Sequence, residues 1–557
     1  MSARLSAWSQ VILLSEGASR WLIAFLAGAV GALAMAPVGL VPAFAISFPV
    51  AVWLLDGATG GPSRFSPRAL LAAARDGWWF GFGYFLAGLW WIGAAFLVET
   101  DEFAWALPLG VVGLPAGLAL FMAAGFALAR LVWLPGAARI LSLTAGLGLS
   151  EAARHMVLTG FPWNGFGQGL GFWLVPAQIV SVIGTDGLGL LTIAIFAAPA
   201  TLVDETPDGR ANIRPLVLAA LGLVVIFGFG AARLMLSGGV LAQPQRIETV
   251  PNVRLRLVQP NMSQREKIAQ QDGLAVLRRL IAQSDRATGP KSTGMVDATH
   301  VIWPESPFPF LLTNEPSAMA ELARVQPPST TVLTGAVRAE PGPDRSRIYY
   351  NSLVALGAKA TILATYDKVH LVPFGEYLPL ESVLSALGLR RFVHAPGSFS
   401  LGGQRQPMEL PGLPPLLPLI CYEAIFPYEI DAATKRPEWM LNITNDAWFG
   451  ETFGPHQHFA QARLRAIELG LPLVRVANTG ISGLVDGHGR TLAASPVGAE
   501  SIIDVLLPKA LPTTVYATVG NNIGLFGPIL SLVLGGFVAT LDRRRGRNRT
   551  TWTTRQR

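Results

Sequence analysis

Three polar residues stand just beyond the ends of apolar runs in the second half of the sequence, and together they could supply a nucleophile, a base and an oxyanion stabiliser. The pairs of run and residue are 301–303 with Glu305, 361–366 with Lys368, and 416–420 with Cys421. A thiolate is a strong nucleophile, a carboxylate can accept the thiol proton, and an ammonium can stabilise an oxyanion. If these runs are strands of an α/β sheet, the three side chains are expected to meet outside the strand ends.

Each of these residues alone is equally compatible with a structural role. A cysteine at the end of an apolar run is often a small buried hydrophobic residue, and a Glu or Lys after a strand is usually solvated. Cys421 is the only cysteine in the chain, which excludes an intramolecular disulfide and cysteine-based zinc or iron–sulfur sites. We expect neither a metal nor another cofactor.

The elements that would position these residues form a soluble region from about residue 244 to 515. Short apolar runs there predict strands at 253–258, 299–303, 331–337, 351–356, 361–366, 416–420, 439–442, 473–477 and 482–485. Several runs are continuously apolar, as in strands covered on both faces. Helical stretches such as 270–285 and 459–469 intervene, so the pattern favours a layered α/β architecture.

The first 240 residues have the pattern of membrane helices. The whole chain is 51% hydrophobic and 14% charged, against about 25% charged residues in a typical soluble domain. Runs without Asp, Glu, Lys, Arg or His cover 22–55, 77–98, 103–129, 156–185, 187–203 and 215–232, with another at 523–541. The first run contains a break at 37–42, and a weaker run covers 140–155. We expect seven spans before the soluble region and one after it.

The arginines in the loops predict the orientation. Loops and tails expected on one side carry Arg4, Arg20, Arg64, Arg68, Arg75, Arg130, Arg139, Arg210, Arg214 and five arginines within 543–549, whereas the alternate loops are poor in Arg and Lys. The positive-inside rule then places both termini in the cytoplasm and the soluble region outside. The net charge of +7 follows largely from these loops. The soluble region shows no basic stripe with aromatics, so we expect no nucleic-acid binding.

Four motifs surround the candidate residues. They are WPE at 303–305, YDKVHLVPFGEYLP at 366–379, ICYE at 420–423 and NITNDAWFG at 442–450. In this order, with a domain between spans 7 and 8, they closely resemble the apolipoprotein N-acyltransferase family, the membrane branch of the nitrilase superfamily. GFPW at 160–163 is similar to the family's loop after span 5.

The resemblance implies an αββα nitrilase-like domain at 241–515, between a membrane domain at 1–240 and a C-terminal span with a basic tail at 516–557. It implies a bacterial inner-membrane enzyme with a periplasmic catalytic domain, expected to act as a monomer. The implied reaction is a ping-pong transfer of the sn-1 acyl chain of a phospholipid, usually phosphatidylethanolamine, through a cysteine thioester. The acceptor is the α-amine of a lipoprotein's diacylglyceryl-cysteine.

The resemblance also assigns roles to individual residues. The catalytic residues are Glu305, Lys368 and Cys421; Glu376 holds the lysine, Tyr422 and Glu423 support the active site, and Trp448 and Phe449 lie on a loop near the acyl-chain entrance. The alternative for the two aromatic residues is simple packing. One position departs from the family, because Ile268 stands where a Trp is common. Apolar contact is therefore possible there, but an indole is absent.

Three other functions stay open at the level of the sequence. A Cys–His protease is conceivable because His300, His370, His394, His456, His458 and His488 share the soluble region with Cys421. A transporter or receptor with an outer ligand-binding domain is a second alternative, although few ionisable residues lie inside the spans. The third is a membrane-tethered amidase, for which a small soluble substrate leaves the eight spans unexplained.

Overall fold

The computed structural model describes residues 2–58, 66–204, 211–240, 247–263, 273–342, 346–379, 398–427 and 435–553. Their contacts divide the protein into two units. The first comprises Met1–Trp90, Pro108–Arg233 and Val519–Arg557, and the second comprises Trp91–Leu107 and Leu234–Thr518. The charge-free runs had placed most of 91–107 with the membrane helices, whereas the contacts group this segment with the second unit.

The first unit is helical. The α-helices before residue 240 are α1 (Ser2–Leu14), α2 (Gly17–Ala32), α3 (Phe44–Gly57), α4 (Pro67–Leu89), α5 (Thr100–Phe103, in the second unit), α6 (Leu114–Leu131), α7 (Arg139–Arg154), α8 (Phe166–Gly171), α9 (Leu174–Ala177), α10 (Val180–Ala197) and α11 (Arg214–Leu236).

Within the described residues, five helical segments are long and apolar enough to cross a membrane. They are Pro67–Leu97, Thr100–Leu131, Val180–Val203, Arg214–Leu236 and Asn522–Thr540, and three shorter apolar helices cover Leu5–Leu14, Gly17–Ala32 and Val41–Gly57. The expected polytopic helical membrane domain is confirmed, while the count of eight spans stays a prediction.

The apolar run 156–185 does not form one long helix. It consists of a 3-10 turn at Val157–Thr159, the short helices α8 and α9, and the start of α10. Gly160, with a φ of +86°, and Pro162 interrupt the helical backbone between them. A charge-free composition therefore identified an apolar segment here but not its secondary structure.

Helices α2 and α4 pack closely because small residues face each other. A Cβ added to Gly28 would lie 1.9 Å from the backbone oxygen of Phe80, so only glycine fits at this contact. Close packing at small residues is typical of membrane helices, where the lipid provides no hydrophobic drive for association. A buried ion pair between Arg20 and Asp76, at 2.8 Å, joins the same two helices. Two buried charges are tolerated there because each neutralises the other.

The described part of the second unit contains two β-sheets. The strands are β1 (Thr249–Gln259), β2 (His300–Ile302), β3 (Thr331–Pro341), β4 (Arg347–Leu356), β5 (Ile362–Asp367), β6 (Leu416–Ile420), β7 (Trp439–Thr444), β8 (Leu473–Ala477), β9 (Gly483–Val485), β10 (Thr491–Ala494) and β11 (Ser501–Pro508). The six-stranded sheet has the order β11-β1-β2-β3-β4-β5, and the five-stranded sheet has the order β10-β9-β8-β7-β6. Strands β1, β2 and β3 are parallel in the first sheet, as are β6, β7 and β8 in the second.

The inner faces of the two sheets form one hydrophobic core. Leu255 and Leu333 of the six-stranded sheet share this core with Ile420 and Leu441 of the five-stranded sheet, and all four are buried. Side chains alternate along each strand, so neighbouring residues such as Leu419 face the opposite side. This alternation requires a second apolar layer outside each sheet.

Helices provide those outer layers. The remaining α-helices are α12 (Gly273–Ser284), α13 (Pro316–Val325), α14 (Phe453–Leu469), α15 (Val515–Val519) and α16 (Asn522–Thr553). Helices α12 and α13 cover the six-stranded sheet, and α14 covers the five-stranded sheet. The unit is an αββα sandwich, which confirms the expected fold. The nine predicted strands correspond to β1–β9, whereas β10 and β11 were not predicted.

Candidate active site

Cys421 begins a tight turn at the carboxyl end of β6. The strand ends at Ile420, and a 3-10 helix covers Cys421–Ile425. The φ of Cys421 is +51°, in the left-handed region that residues with a Cβ rarely adopt. Such a conformation costs about 1–3 kcal/mol and persists only where the surroundings hold it, which is frequent at functional sites. Cys421 is 9% exposed, so only a small part of it is open to a substrate.

Lys368 lies directly after β5 between two carboxylates. Its Nζ donates to Glu376 Oε1 at 3.0 Å and lies 3.6 Å from Glu305 Oε1. Burial by itself lowers the pKa of the Lys368 ammonium, but the charges of Glu376 and Glu305 outweigh burial and raise this pKa above its ordinary value. The ammonium therefore stays charged at neutral pH.

Glu305 is held by two donors. Asn351 Nδ2 donates to Glu305 Oε1 at 2.8 Å, and the backbone N–H of Asn445 donates to Oε2 at 2.8 Å. Asn351 Nδ2 also lies 2.8 Å from Glu376 Oε1, so one amide connects both carboxylates around the lysine. The turn that carries Glu305 packs on Gly335 of β3, where a Cβ would lie 2.6 Å from the Glu305 Cα. Glycine at that position permits the close approach.

The electrostatic surroundings keep the Cys421 thiol protonated. Burial is the largest influence and raises the pKa of the thiol, and the negative charges of Glu305 and Asp446 raise it further. The Lys368 ammonium and a hydrogen bond with Thr444 lower this pKa but do not compensate. The Lys368 ammonium thus favours the thiolate, yet burial outweighs its effect. A reaction at the sulfur would therefore require a base that accepts the thiol proton.

Glu423 joins the cysteine turn to the lysine loop. Its carboxylate accepts hydrogen bonds from the backbone N–H of Ile420 at 2.7 Å and of Val369 at 2.7 Å. The Arg405 guanidinium donates at 2.9 Å, and the Tyr366 hydroxyl donates at 3.0 Å. Both segments thus share one fully buried anion, which fixes the position of Cys421 relative to Lys368. Burial raises the pKa of Glu423, but Arg405 and the backbone donors lower it below its ordinary value.

Replacing Glu423 should destabilise the second unit. Glu423→Gln removes the charge opposite Arg405 and turns an NH2 group toward donors, so we expect a loss of about 3–5 kcal/mol in the free energy of unfolding. The pKa of Glu423 is lower in the folded state than in the unfolded state. Its contribution is therefore present above the ordinary value of 4.5 and is lost as the pH falls through the folded-state pKa.

Denaturant unfolding in detergent at pH 7 and pH 4 measures both effects of Glu423→Gln. The matched control is Glu409→Gln, because Glu409 forms an exposed pair with Lys435 and should contribute little. Equal stability of the two variants at pH 7 would contradict the role assigned to Glu423. The role would also be contradicted if the difference in the free energy of unfolding between the native protein and Glu423→Gln widens as the pH falls.

Aromatic side chains lie in the cysteine turn and in the turn that follows β7. Tyr422 is buried and packs edge-on against Phe426, with ring centroids 4.9 Å apart. Trp448 and Phe449 are partly exposed in the turn Asp446–Phe449 that follows β7. The Phe449 ring lies 4.8 Å from Trp91, which belongs to the same unit and was not selected from the sequence.

Several residues at the site were not assigned a role from the sequence. Asn351 sits in a strand, where a buried polar residue in an apolar run was the only signal. His458 was considered as a protease histidine, but it contacts Cys421 through the backbone carbonyl, with Nε2 at 3.1 Å. Burial lowers the pKa of His300 to about 4, and that residue lies within β2. Ile268 and His394 fall outside the described residues.

Comparisons with known proteins show the family of this chain. Residues 27–198 match the family model of the apolipoprotein N-acyltransferase N-terminal domain, and residues 255–513 match that of carbon-nitrogen hydrolase. The chain is 50% identical over 519 residues to the apolipoprotein N-acyltransferase of Rhodopseudomonas palustris, covering 93% of this chain and 95% of the relative. It is 49% identical over 520 residues to that of Bradyrhizobium diazoefficiens, with coverages of 93% and 95%. An amidase structure from Nesterenkonia sp. AN1 is 20% identical, with a TM-score of 0.34, and covers 46% of this chain and 94% of the amidase. This chain belongs to the apolipoprotein N-acyltransferase family.

Proposed function

We propose that the protein transfers an acyl chain from a phospholipid to the N-terminal amine of diacylglyceryl-cysteine in lipoproteins, through a thioester on Cys421. The observation that carries the proposal is the contact of the Lys368 ammonium with Glu376 at 3.0 Å and Glu305 at 3.6 Å, beside a protonated thiol on a strained turn. The names of the relatives support the acceptor class. The donor is taken to be the sn-1 ester of phosphatidylethanolamine.

The first half-reaction forms the thioester. Glu305 accepts the thiol proton while the Cys421 sulfur attacks the ester carbonyl, and Lys368 stabilises the oxyanion of the tetrahedral intermediate. Collapse of the intermediate breaks the bond between the carbonyl carbon and the ester oxygen. Glu305 returns its proton to the departing alkoxide, which leaves as the hydroxyl of a lysophospholipid. The raised thiol pKa supports this order, because little free thiolate exists before the substrate binds.

The second half-reaction transfers the acyl group to nitrogen. The α-amine of the acceptor attacks the thioester carbonyl, and Glu305 removes a proton from that amine as the new bond forms. The bond to sulfur then breaks, the amide leaves and the thiol regains a proton from Glu305. Lys368 again stabilises the tetrahedral oxyanion, so the same three residues serve both steps of a ping-pong mechanism. Trp448 and Phe449 are assigned to the entrance of the acyl chain.

We further propose that the enzyme works as a monomer in a bacterial inner membrane. The second unit, which we call the catalytic unit, would then lie in the periplasm and both termini in the cytoplasm. The arginine-rich loops and tail support this orientation. A lipid donor also accounts for the apolar helices, because its acyl chains reside in the bilayer.

A thiol-labelling experiment tests the orientation. Since Cys421 is the sole cysteine, Cys421→Ala gives a background without thiols. Single cysteines are introduced as Gly289→Cys in the catalytic unit and as Ser19→Cys in the first turn of α2, both at exposed positions. A maleimide that cannot cross the inner membrane should label Gly289→Cys in spheroplasts, and Ser19→Cys only after permeabilisation. Labelling of both from the same side would refute the topology.

A further inference from the structure

A fully buried cluster of charged residues lies behind the cysteine turn, and the mechanism above does not use it. It consists of Asp446, His458 and Arg475, each of which has no measurable exposure. His458 Nδ1 lies 3.0 Å from both Asp446 Oδ1 and Arg475 Nη2, and Arg475 Nη2 donates to Asp446 Oδ2 at 2.8 Å. On the other side of the ring, His458 Nε2 lies 3.1 Å from the backbone oxygen of Cys421.

The hydrogen on the imidazole follows from these partners. A backbone carbonyl oxygen accepts hydrogen bonds and never donates them, so His458 Nε2 must carry a hydrogen to contact the Cys421 oxygen favourably. Nδ1 can then accept from Arg475 in the neutral ring or donate to Asp446 in the cation. Burial and Arg475 lower the pKa of His458, which favours the neutral ring at neutral pH. The contact with Cys421 is the same in both states.

We infer that His458 is a positioning residue that holds the carbonyl of Cys421, and with it the left-handed backbone of the nucleophile. The inference rests on the proposed function of Cys421. Apart from His458, the Cys421 oxygen contacts the Asn442 side chain at 3.4 Å, a longer distance. Without the imidazole donor, the peptide after Cys421 can rotate toward an unstrained conformation and carry the sulfur away from the attack geometry. A misplacement of about 1 Å in a reacting group can cost about 10²-fold in rate.

Two amide substitutions separate this role from a general structural role. The side-chain nitrogen of Gln reaches about as far as Nε2 of histidine, so His458→Gln keeps a donor for the Cys421 oxygen. Asn is shorter and reaches only the position of Nδ1, so His458→Asn keeps a partner for Asp446 and Arg475 but loses the Cys421 contact. We expect thioester formation near the native rate in His458→Gln and a loss approaching 10²-fold in His458→Asn.

The measurements are the rate of thioester formation with phosphatidylethanolamine, by intact-protein mass, and the midpoint of thermal unfolding. His456→Gln and His456→Asn are matched controls, because His456 is exposed two residues earlier on α14. Similar unfolding midpoints with a slow Asn variant and a fast Gln variant support the inference. Equal rates of thioester formation in the two variants would overturn the inference. If both variants are equally slow, His458 acts as a general base instead.

A second readout keeps the inference separate from the proposed function. Alkylation of Cys421 by iodoacetamide reports the placement of the thiol without any lipid substrate. If the native protein forms no thioester, the proposed function fails, and the alkylation rates alone decide the role of His458. A slower rate in His458→Asn than in His458→Gln then supports positioning, and equal alkylation rates overturn it.

Discussion

An adduct of one acyl chain should form on Cys421 when the protein meets phosphatidylethanolamine without an acceptor. Only the first half-reaction can then proceed, so the thioester accumulates. Intact-protein mass spectrometry should show one added acyl chain that hydroxylamine removes, since hydroxylamine cleaves thioesters. Addition of a diacylglyceryl-cysteine peptide should discharge the adduct and produce the N-acylated peptide.

Substitutions at Cys421 provide the controls for this experiment. Cys421→Ala has no nucleophile and should trap nothing. Cys421→Ser should stop transfer, because a hydroxyl is far less acidic than a thiol and Glu305 is matched to the thiol. The loss should exceed about 10³-fold, as expected when the nucleophile of a covalent mechanism is removed. An adduct that never forms, or that forms equally in Cys421→Ala, would exclude covalent catalysis at Cys421 and favour the transporter alternative.

The positions of the strands and of the lysine could be predicted because they depend on local patterns. Strand β6 was predicted with its observed bounds, because the apolar run 416–420 follows Pro414 and Pro415 and ends directly before Cys421. The two missed strands differ from this pattern. Strand β10 has no buried residue, and β11 lies at the edge of its sheet with Asp504 in its middle. A charge is tolerated there because Asp504 pairs with Arg256 at 2.8 Å.

The supporting contacts around the site could not be predicted, because they join residues far apart in the chain. Asn351 bonds Glu305 across 46 positions, and the Asn445 backbone bonds the same carboxylate across 140. No local pattern specifies such pairs. Backbone geometry was equally inaccessible, since the sequence around Cys421 contains no glycine to indicate a left-handed φ. The strain at Cys421 therefore emerges only from the folded turn.

Replacing Lys368 by arginine should abolish most of the activity without unfolding the protein. The ammonium occupies a buried site between Glu305 and Glu376, and Lys368 is only 1% exposed. Arginine keeps the positive charge but presents a planar fork on a longer stem, so its charge cannot lie where the compact ammonium lay. Removal of one oxyanion donor in other enzymes costs about 10²–10³-fold in turnover, and we expect a loss of this size for Lys368→Arg.

The rate of thioester formation distinguishes this role from a simple requirement for charge. Lys509→Arg is the matched control, because Lys509 forms a half-exposed pair with Glu248 at 3.1 Å and should tolerate the exchange. Glu305→Gln should also block thioester formation, since the amide cannot accept the thiol proton, while its oxygen can still accept from Asn445. Both half-reactions need Lys368 and Glu305, so neither variant should accumulate the adduct. Near-native turnover of Lys368→Arg with an unchanged unfolding midpoint would reduce Lys368 to a structural charge, and the oxyanion would then need another donor.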